Sequence, residues 1–592
     1  MQSFSRLVKK RISRLKWGFP GVPGAPNMAA RILRSAQRTR ESPKRNSLVT
    51  VNVTGSSPSK DLPGEADVVV IGSGVGGLSA AAMSAKYGHS VCVLEAHYHL
   101  GGAAHSFDSG RFAFESGPSL FQGLRDCGQS ANPLGVVLNA IGELPSIHTY
   151  NTWRLNIPEG QFVTRIGDSH RYDGDSVDSG LGFFDVLEQF AHKGEHAKAE
   201  WQRLLDVMSR FSEAATALPI AAMRADLGIA ATSAKYAKSL AVYGFDAAQL
   251  SGPLSDILDR HSIHNTFIRN WIDLLCFLLA GMPAKDTIAA EFAFQFKEWY
   301  MNKDAALEWP IGGSSAIVDC LARGVEKHGG SVHLRSSVQM ITTDNGGKTA
   351  TGVVAKGGYF IRARKAVISN ATSWDTNQLL QESPKQLKRT STMKELPSFL
   401  HLHAGIDGHA LPSDKHLEPH HIHLSSWNNL ESPRDLVLVS VPSLLDKPCV
   451  HAPEGKHTVH AYTPATEPSS DWRGLSKREY EKLKEERKEI LWRAVEDALP
   501  GARSGCEVEL IGTPRTHERF LRRHNGTYGP RASIREGLLP TCKTEIKGLL
   551  SVGDCAFPGI GLPAVAGSGM MAGESGEETC RAFSMQMTLL CC

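Results

Sequence analysis

Asp67-Val-Val-Val-Ile71, running without a break into Gly72-Ser-Gly74-Val-Gly76-Gly77, is the stretch that decides the fold. Its first part is a short, almost wholly apolar run, which suits a parallel strand covered on both faces. A helical stretch from Leu78 to Tyr87 follows, Gly88 ends it, and Ser90-Val-Cys-Val-Leu94 makes a second apolar strand closing on Glu95. Strand, glycine turn, helix, strand and acid stand in the order of a dinucleotide-binding βαβ unit, with 18 residues from Gly77 to Glu95. Each part has a physical task. Gly72 permits the tight turn, Gly74 lets the backbone approach a pyrophosphate, Gly76 belongs to the same loop, and Gly77 allows helix to pack closely on strand. The helix N-terminus adds unpaired N–H groups and a positive dipole. Glu95 can accept hydrogen bonds from both ribose hydroxyls of an adenosine, and its charge disfavours a 2′-phosphate, so NADP is not expected at this site.

Working outward, His97-Tyr-His-Leu-Gly101-Gly102-Ala-Ala-His105 comes next, then Phe114-Glu-Ser-Gly117-Pro118-Ser-Leu120. A Gly-Gly step lets a chain pass close to cofactor phosphates without side-chain collision. His105 invites a catalytic role, but the motif already explains its placement, and a positioning role is expected. Trp309-Pro310-Ile-Gly312-Gly313, Val367 to Ala371, Thr513-Pro514, Gly526-Thr-Tyr528-Gly529-Pro530 and Gly553 to Gly569 complete the set. On these residues the chain resembles, from about Asp67 to Glu574, the carotenoid isomerase and phytoene desaturase-type flavoproteins, which include the retinol saturases. Within that family it is most similar to the carotenoid isomerase-like proteins of plants and algae, although Gly101-Gly102-Ala-Ala-His105 is nearer the retinol saturase-like pattern.

The resemblance implies FAD, and it implies an α/β protein: a Rossmann-like FAD-binding domain of the flavin amine oxidase/phytoene desaturase type with an inserted α+β substrate domain. The back half of the cofactor site then comes from Leu549-Leu-Ser-Val-Gly553-Asp554, about 480 residues beyond Gly72. An Asp at a strand's carboxyl end can hydrogen-bond ribityl hydroxyls. The helix that follows Pro558-Gly559-Ile-Gly561 can stabilise negative charge at the flavin N1–C2 edge. In this architecture a backbone amide and carbonyl near Val338 clamp the adenine. The expected division is 1–65 address and linker; 66–180, 306–375 and 536–580 FAD-binding domain; 181–305 helical and 376–535 sheet-containing substrate domain; 581–592 tail.

The family's substrates are long conjugated polyenes, so the implied function is an FAD-dependent oxidoreductase or isomerase acting on carbon–carbon double bonds of a carotenoid or similar isoprenoid. Two chemical routes stay open: hydride exchange with the flavin, or a redox-neutral bond rotation or hydration beside reduced flavin. Helices over Phe184 to His192, Ala197 to Leu218 and Phe267 to Tyr300 are candidates to line a tunnel, with Phe292, Phe294, Phe296 and Trp299 as aromatic wall; core packing is the competing explanation for each. Glu298, Asp273, Glu291 and His517 are candidate proton handlers, and no catalytic residue is assigned. A flavin amine oxidase and a flavin-bound scaffold without activity are the rivals.

The remaining sequence mostly excludes. The chain has 592 residues, 41% hydrophobic and 21% charged, with a net charge of +4. Its basic excess is concentrated before Glu41, so nothing asks for nucleic acid. That acid-free stretch, with Phe4, Leu7, Val8, Ile12 and Leu15 at helical spacing, has the form of an organelle transit peptide; a basic tail is the alternative. The family resemblance implies a plastid, and a mitochondrion is the alternative. Eleven scattered cysteines without a C-x-x-C pair suit a reducing compartment. The closing Cys591-Cys592 matches no prenylation box. Leu274 to Met282 is too short to span a bilayer and reads as a buried helix or a segment dipping into a membrane surface, a peripheral contact. The His401–His423 stretch lacks regular metal-ligand spacing, and no metal is assigned. Lys477 to Arg493 has the i,i+4 charge pattern of a solvated helix face.

Overall fold

A computed structural model describes residues 62–573 apart from 126–131, 168–179, 217–241, 244–245, 247, 302–304, 381–382, 384, 412–416 and 447–449. The expected transit peptide, His416 and the terminal Cys591-Cys592 lie outside the described residues.

The decisive stretch folds as it reads. Strand Glu65–Ile71 leads through Gly72 (φ +89°) into helix Val75–Lys86, then strand Val91–Leu94. The first strand lies centrally in a seven-stranded sheet ordered Val338–Asp344, Thr349–Ala355, Tyr359–Ser369, Glu65–Ile71, Val91–Leu94, Ser331–His333, with Leu549–Ser551 also pairing to Tyr359–Ser369. The strands around Glu65–Ile71 are parallel, and the 338–369 segment is an antiparallel meander feeding into them. Val69 and Val70 are wholly buried in separate clusters, Val70 with Leu78 and Ile317 of the covering helices and Val69 with Val353, Ile361 and Leu380.

The second seven-stranded sheet is ordered Cys506–Gly512, Ser398–Asp407, Lys456–Glu467, Leu436–Ser440, His420–Leu424, Thr152–Ile157, Gly160–Arg165. The strands Thr152–Ile157 and Gly160–Arg165 fall within the 66–180 span expected in the cofactor domain, yet they join this sheet through His421–His423. Short local alternation could not reveal a partner some 270 residues away. In Ser398–Asp407 the period-2 pattern is clean: Leu400, Leu402, Ala404 and Ile406 pack beneath helix Lys477–Ala498, through Leu491, Trp492 and Val495, while Phe399, His401 and His403 turn to the opposite face.

Among the described residues, helices Phe183–Phe190, Gly194–Thr216, Thr266–Ala280 and Ala289–Phe296, with the shorter Leu254–Arg260 packed against them, form the helical layer. Leu274, Leu275, Cys276 and Phe277 are buried, so this segment is a core helix. Phe292, Phe296 and Trp299, expected as possible tunnel wall, are core as well: they pack with Trp153, Trp201, Trp271 and Tyr300, and only Phe294 of the four is less than fully buried. Four helices of this length can close a core only by filling it with large rings. Among the described residues no helix is long and apolar enough to cross a membrane.

Candidate functional site

Gly72, Gly74, Gly76 and Gly77 form the turn between strand and helix, and their crowding explains the glycines. A Cβ on Gly74 would stand 2.5 Å from Asn370 Nδ2, and one on Gly77 would stand 2.3 Å from the Gly72 carbonyl. A Cβ on Gly76 would meet both Asn370 and the backbone of Gly553, so the front and back glycine segments touch here. The helix begins at Gly74 with no side-chain cap, which leaves its first N–H groups aimed outward.

Glu95 is buried at the end of the second strand. Ser73 donates to its Oε2 through N–H (2.8 Å) and Oγ–H (2.6 Å), and His97 N–H donates to Oε1 (2.7 Å). A carboxylate offers about four lone-pair sites, so one on Oε1 stays free for a ribose hydroxyl. Ser336 N–H donates to the Glu95 carbonyl and Arg335 N–H to that of His97, which brings Val338, the first residue of its strand, alongside. A cavity of about 310 Å³ opens there, lined among others by Ala96, His97, Tyr98, Arg335, Ser337 and Phe520. Its aromatic rings and cations suit the flat faces and polar edges of an adenine.

Gly101 (φ +105°) and Gly102 (φ +56°) take a left-handed turn directly over Gly74, whose Cα a Gly102 Cβ would meet at 3.2 Å. Gly101 N–H donates to both the carbonyl and Oγ of Ser73. His105 is fixed by Nδ1 contacts to the Gly102 carbonyl (2.7 Å) and Ser116 Oγ (3.2 Å), a positioning arrangement. At the far end, Gly553 (φ +93°) donates to Ser568 Oγ at 2.8 Å. Asp554 pairs with Arg523, which also donates to the Thr527 and Tyr528 carbonyls. Gly561 (φ +103°) precedes helix Leu562–Gly573 with open space around its α-carbon.

Between the two ends sits a fully buried clamp. Glu115 Oε1 lies 3.0 Å from His451 Nε2, and His451 Nδ1 lies 3.2 Å from Asp446 Oδ2. Ser106 donates to Glu115 Oε1, and Ser314 donates to Oε2 through its N–H and hydroxyl. Asp446 in turn accepts from Gly312 N–H and Trp309 Nε1–H. Burial works to raise the Glu115 pKa, but the His451 and Ser314 hydrogen bonds outweigh it and hold the acid below its usual range. Burial likewise opposes charge on His451, and the two carboxylates outweigh that and raise its pKa.

Across from the clamp, the sheet presents imidazoles. His401 Nδ1 contacts His460 Nε2 at 2.8 Å, and His401 Nε2 contacts His517 Nε2 at 2.8 Å. His403 is hydrogen-bonded to the Glu115 carbonyl and stacks on His460 with centroids 4.5 Å apart. Burial lowers all four, His403 to about 4 and His517 to about 3, so they are neutral at pH 7. Nitrogens of His401, His403 and His460 lie within 4.8 Å of one another. An ion with metal–nitrogen bonds of about 2.0–2.1 Å in a tetrahedral site holds its nitrogens about 3.3 Å apart. The two 2.8 Å contacts and the stacked rings instead make a short hydrogen-bonded chain, with neutral His401 donating through one ring nitrogen and accepting through the other.

The family model for the flavin containing amine oxidoreductases matches residues 75–566, from the helix after Gly74 to the helix after Gly561. The chain belongs to that family. This flavoenzyme binds FAD, and it is 31% identical over 517 residues to the chloroplastic prolycopene isomerase of Daucus carota, covering 86% of this chain and 79% of that one. It is 26% identical over 546 residues to the all-trans-retinol 13,14-reductase of Danio rerio, covering 84% of each. Among solved structures, wild-type putrescine oxidase bound to putrescine superimposes with a TM-score of 0.53 at 17% identity, over 88% of this chain and 99% of that one, a likeness of fold.

In the flavoenzyme's fold, Gly72 to Gly77 follow strand Glu65–Ile71, Glu95 follows Val91–Leu94, Gly553 and Asp554 follow Leu549–Ser551, and Gly561 precedes helix Leu562–Gly573, while Gly102 packs over Gly74 and Val338 opens an antiparallel strand. The proton-handler candidates scatter. Asp273 is taken up by the Ala284 N–H, Glu298 lies near Glu308, and His517 belongs to the imidazole chain. Sequence reasoning did not single out Ser73, Asn370, Arg523 or the Glu115–His451–Asp446 clamp. Asn370 carried a signal, since it ends an apolar strand whose carboxyl end must face the cofactor; the clamp carried none.

Proposed function

We propose that this flavoenzyme acts on a carbon–carbon double bond of a long polyene, a carotenoid or similar isoprenoid, within a plastid. The observation that carries the reading is kinship with a prolycopene isomerase over most of the chain; beside the Phe557–Gly561 loop lies a small cavity of about 30 Å³, lined among others by Ala280, Met282, Thr287, Glu291 and Ile560. Leu538, 57% exposed, gives its rim an apolar edge suited to a substrate drawn from a lipid phase. Kinship with a prolycopene isomerase and a retinol 13,14-reductase supports the same substrate class, and the chloroplastic relatives together with the basic, acid-free N-terminus support the compartment.

The residues present fit FAD. Uncapped N–H groups after Gly74, the close approach allowed at Gly101-Gly102, the free lone pair on Glu95 and the aromatic-lined cavity near Val338 would hold pyrophosphate, ribose and adenine. Asp554, oriented by Arg523, would take ribityl hydroxyls, and the uncluttered Gly561 turn would admit the flavin edge. Bound there, FAD supplies hydride exchange in a redox reaction or an electron-rich face in a redox-neutral one. The chain's own part is to orient the polyene beside the flavin edge and to manage the proton. The test is a pigment profile of cells lacking the protein. Accumulation of a polyene differing in bond geometry or saturation is expected; an unchanged profile counts against the reading.

A further inference from the structure

Glu291 lies on helix Ala289–Phe296, whose Ala289, Phe292, Ala293 and Phe296 form one stripe buried in the aromatic core. Two positions past Ala289, a side chain leaves that stripe. It lines a small cavity of about 30 Å³, which Glu291 shares with Phe557, Pro558, Gly559 and Ile560, the loop between Asp554 and the Leu562–Gly573 helix. Among the described residues the carboxyl has no hydrogen-bond or ion-pair partner. A half-buried acid left unpartnered beside a cofactor loop is a candidate functional group.

We infer that Glu291 is the proton donor and acceptor for the double-bond chemistry at the flavin edge beside this cavity, an inference resting on the polyene reading above. Burial alone raises its pKa to about 7, so both forms are present near neutrality, where a general acid–base group works best. The titratable groups facing it are Cys276 on the preceding helix and Tyr528 on the 526–530 loop, and burial pushes both upward and keeps them neutral. In saturation the carboxyl O–H bond breaks, the π pair forms the new C–H bond, and the neighbouring carbon, conjugated to the rest of the polyene, accepts the hydride supplied by reduced FAD. In desaturation the carboxylate takes the proton from one carbon while the hydride of its neighbour passes to oxidised FAD, and the C–H pair left behind forms the new π bond. In isomerisation the same carboxylate takes back the proton it gave after the single bond has rotated, with no net change.

The test uses the flavin-loaded full chain and two readouts. Polyene conversion is followed against pH for the wild type, Glu291→Gln and Glu291→Asp; flavin midpoint potential is followed against pH for the same proteins. A conversion profile bending near pH 7, a loss of about a hundredfold or more in Glu291→Gln and partial retention in Glu291→Asp are expected. The midpoint plot should bend near pH 7 in the wild type and lose that bend in Glu291→Gln. Glu291→Gln converting polyene within about threefold of wild type, with the same pH profile, overturns the inference. So does a wild-type midpoint plot with no bend near pH 7, even in an active enzyme. A wild type that bends as expected yet converts no polyene refutes the substrate reading and still supports Glu291 as the proton partner of the flavin edge.

Discussion

Gly313 offers the sharpest test of how the cofactor-side loops are held. Its backbone has φ +76° and ψ −167°, a region essentially reserved for glycine. A Cβ there would stand 2.0 Å from Glu115 Oε1, the oxygen that meets His451 and Ser106. Gly313→Ala therefore carries two costs. Backbone strain contributes about 1–3 kcal/mol. Driving the carboxylate off its partners breaks a buried ion pair, a further cost of about 3–5 kcal/mol. Gly329→Ala is the control: φ is +83° but nothing lies within 4 Å of its would-be Cβ, so only strain of about 1–2 kcal/mol applies. The expected gap between the two variants is about 3 kcal/mol or more. Denaturant midpoints read by tryptophan fluorescence would measure it, since Trp309 donates to Asp446 within the clamp. Release of flavin at lower denaturant should accompany the shift in Gly313→Ala and not in Gly329→Ala. Equal midpoints for the two variants would refute the reasoning, because the clash would then be relieved at no cost to the clamp.

Glu95→Lys removes the acceptor held by Ser73 and His97 and places a cation against the ribose, so the purified protein should be colourless; a yellow, fully loaded variant would overturn the role given to Glu95. The clamp also makes a pH statement. His451 has its folded pKa raised above the ordinary value near 6.5, so its contribution is fully present below that value and is lost as pH rises through the raised pKa. Glu115 has its pKa lowered, so its contribution is present above the ordinary carboxylate range and is lost as pH falls through the depressed value. Thermal midpoints of the wild type should therefore fall on the alkaline side, and His451→Gln should be less stable at neutrality with that alkaline fall removed; a parallel alkaline fall in both proteins would contradict the assignment.

How much of this was legible in the sequence depended on whether the signal was local. The βαβ unit was, because Asp67 to Glu95 contains its own strand, turn, helix and acid in order. The far strand ending in Gly553-Asp554 was legible for the same reason, and Gly76 and Gly553 now prove to be in contact. Partnerships across the chain were not. Thr152–Arg165 carries alternation that any sheet could use, and only pairing with His420–Leu424 assigns it to the second sheet. The histidine stretch shows the same limit: its spacing named no partners, while the hydrogen-bonded chain takes His401 from that stretch, His460 from the adjacent strand and His517 from a helix beyond it. Phe292, Phe296 and Trp299 have equal hydrophobicity as tunnel wall or as core, and only the packing of four helices decides for core.

The most direct measurement is anaerobic incubation of the purified, flavin-loaded protein with defined carotenoid isomers, the flavin oxidised in one arm and reduced with dithionite in the other, followed by chromatographic separation of the pigments. Conversion is expected in at least one arm, seen as a changed double-bond geometry or a changed number of conjugated bonds. Pigments recovered unaltered from both arms would contradict it.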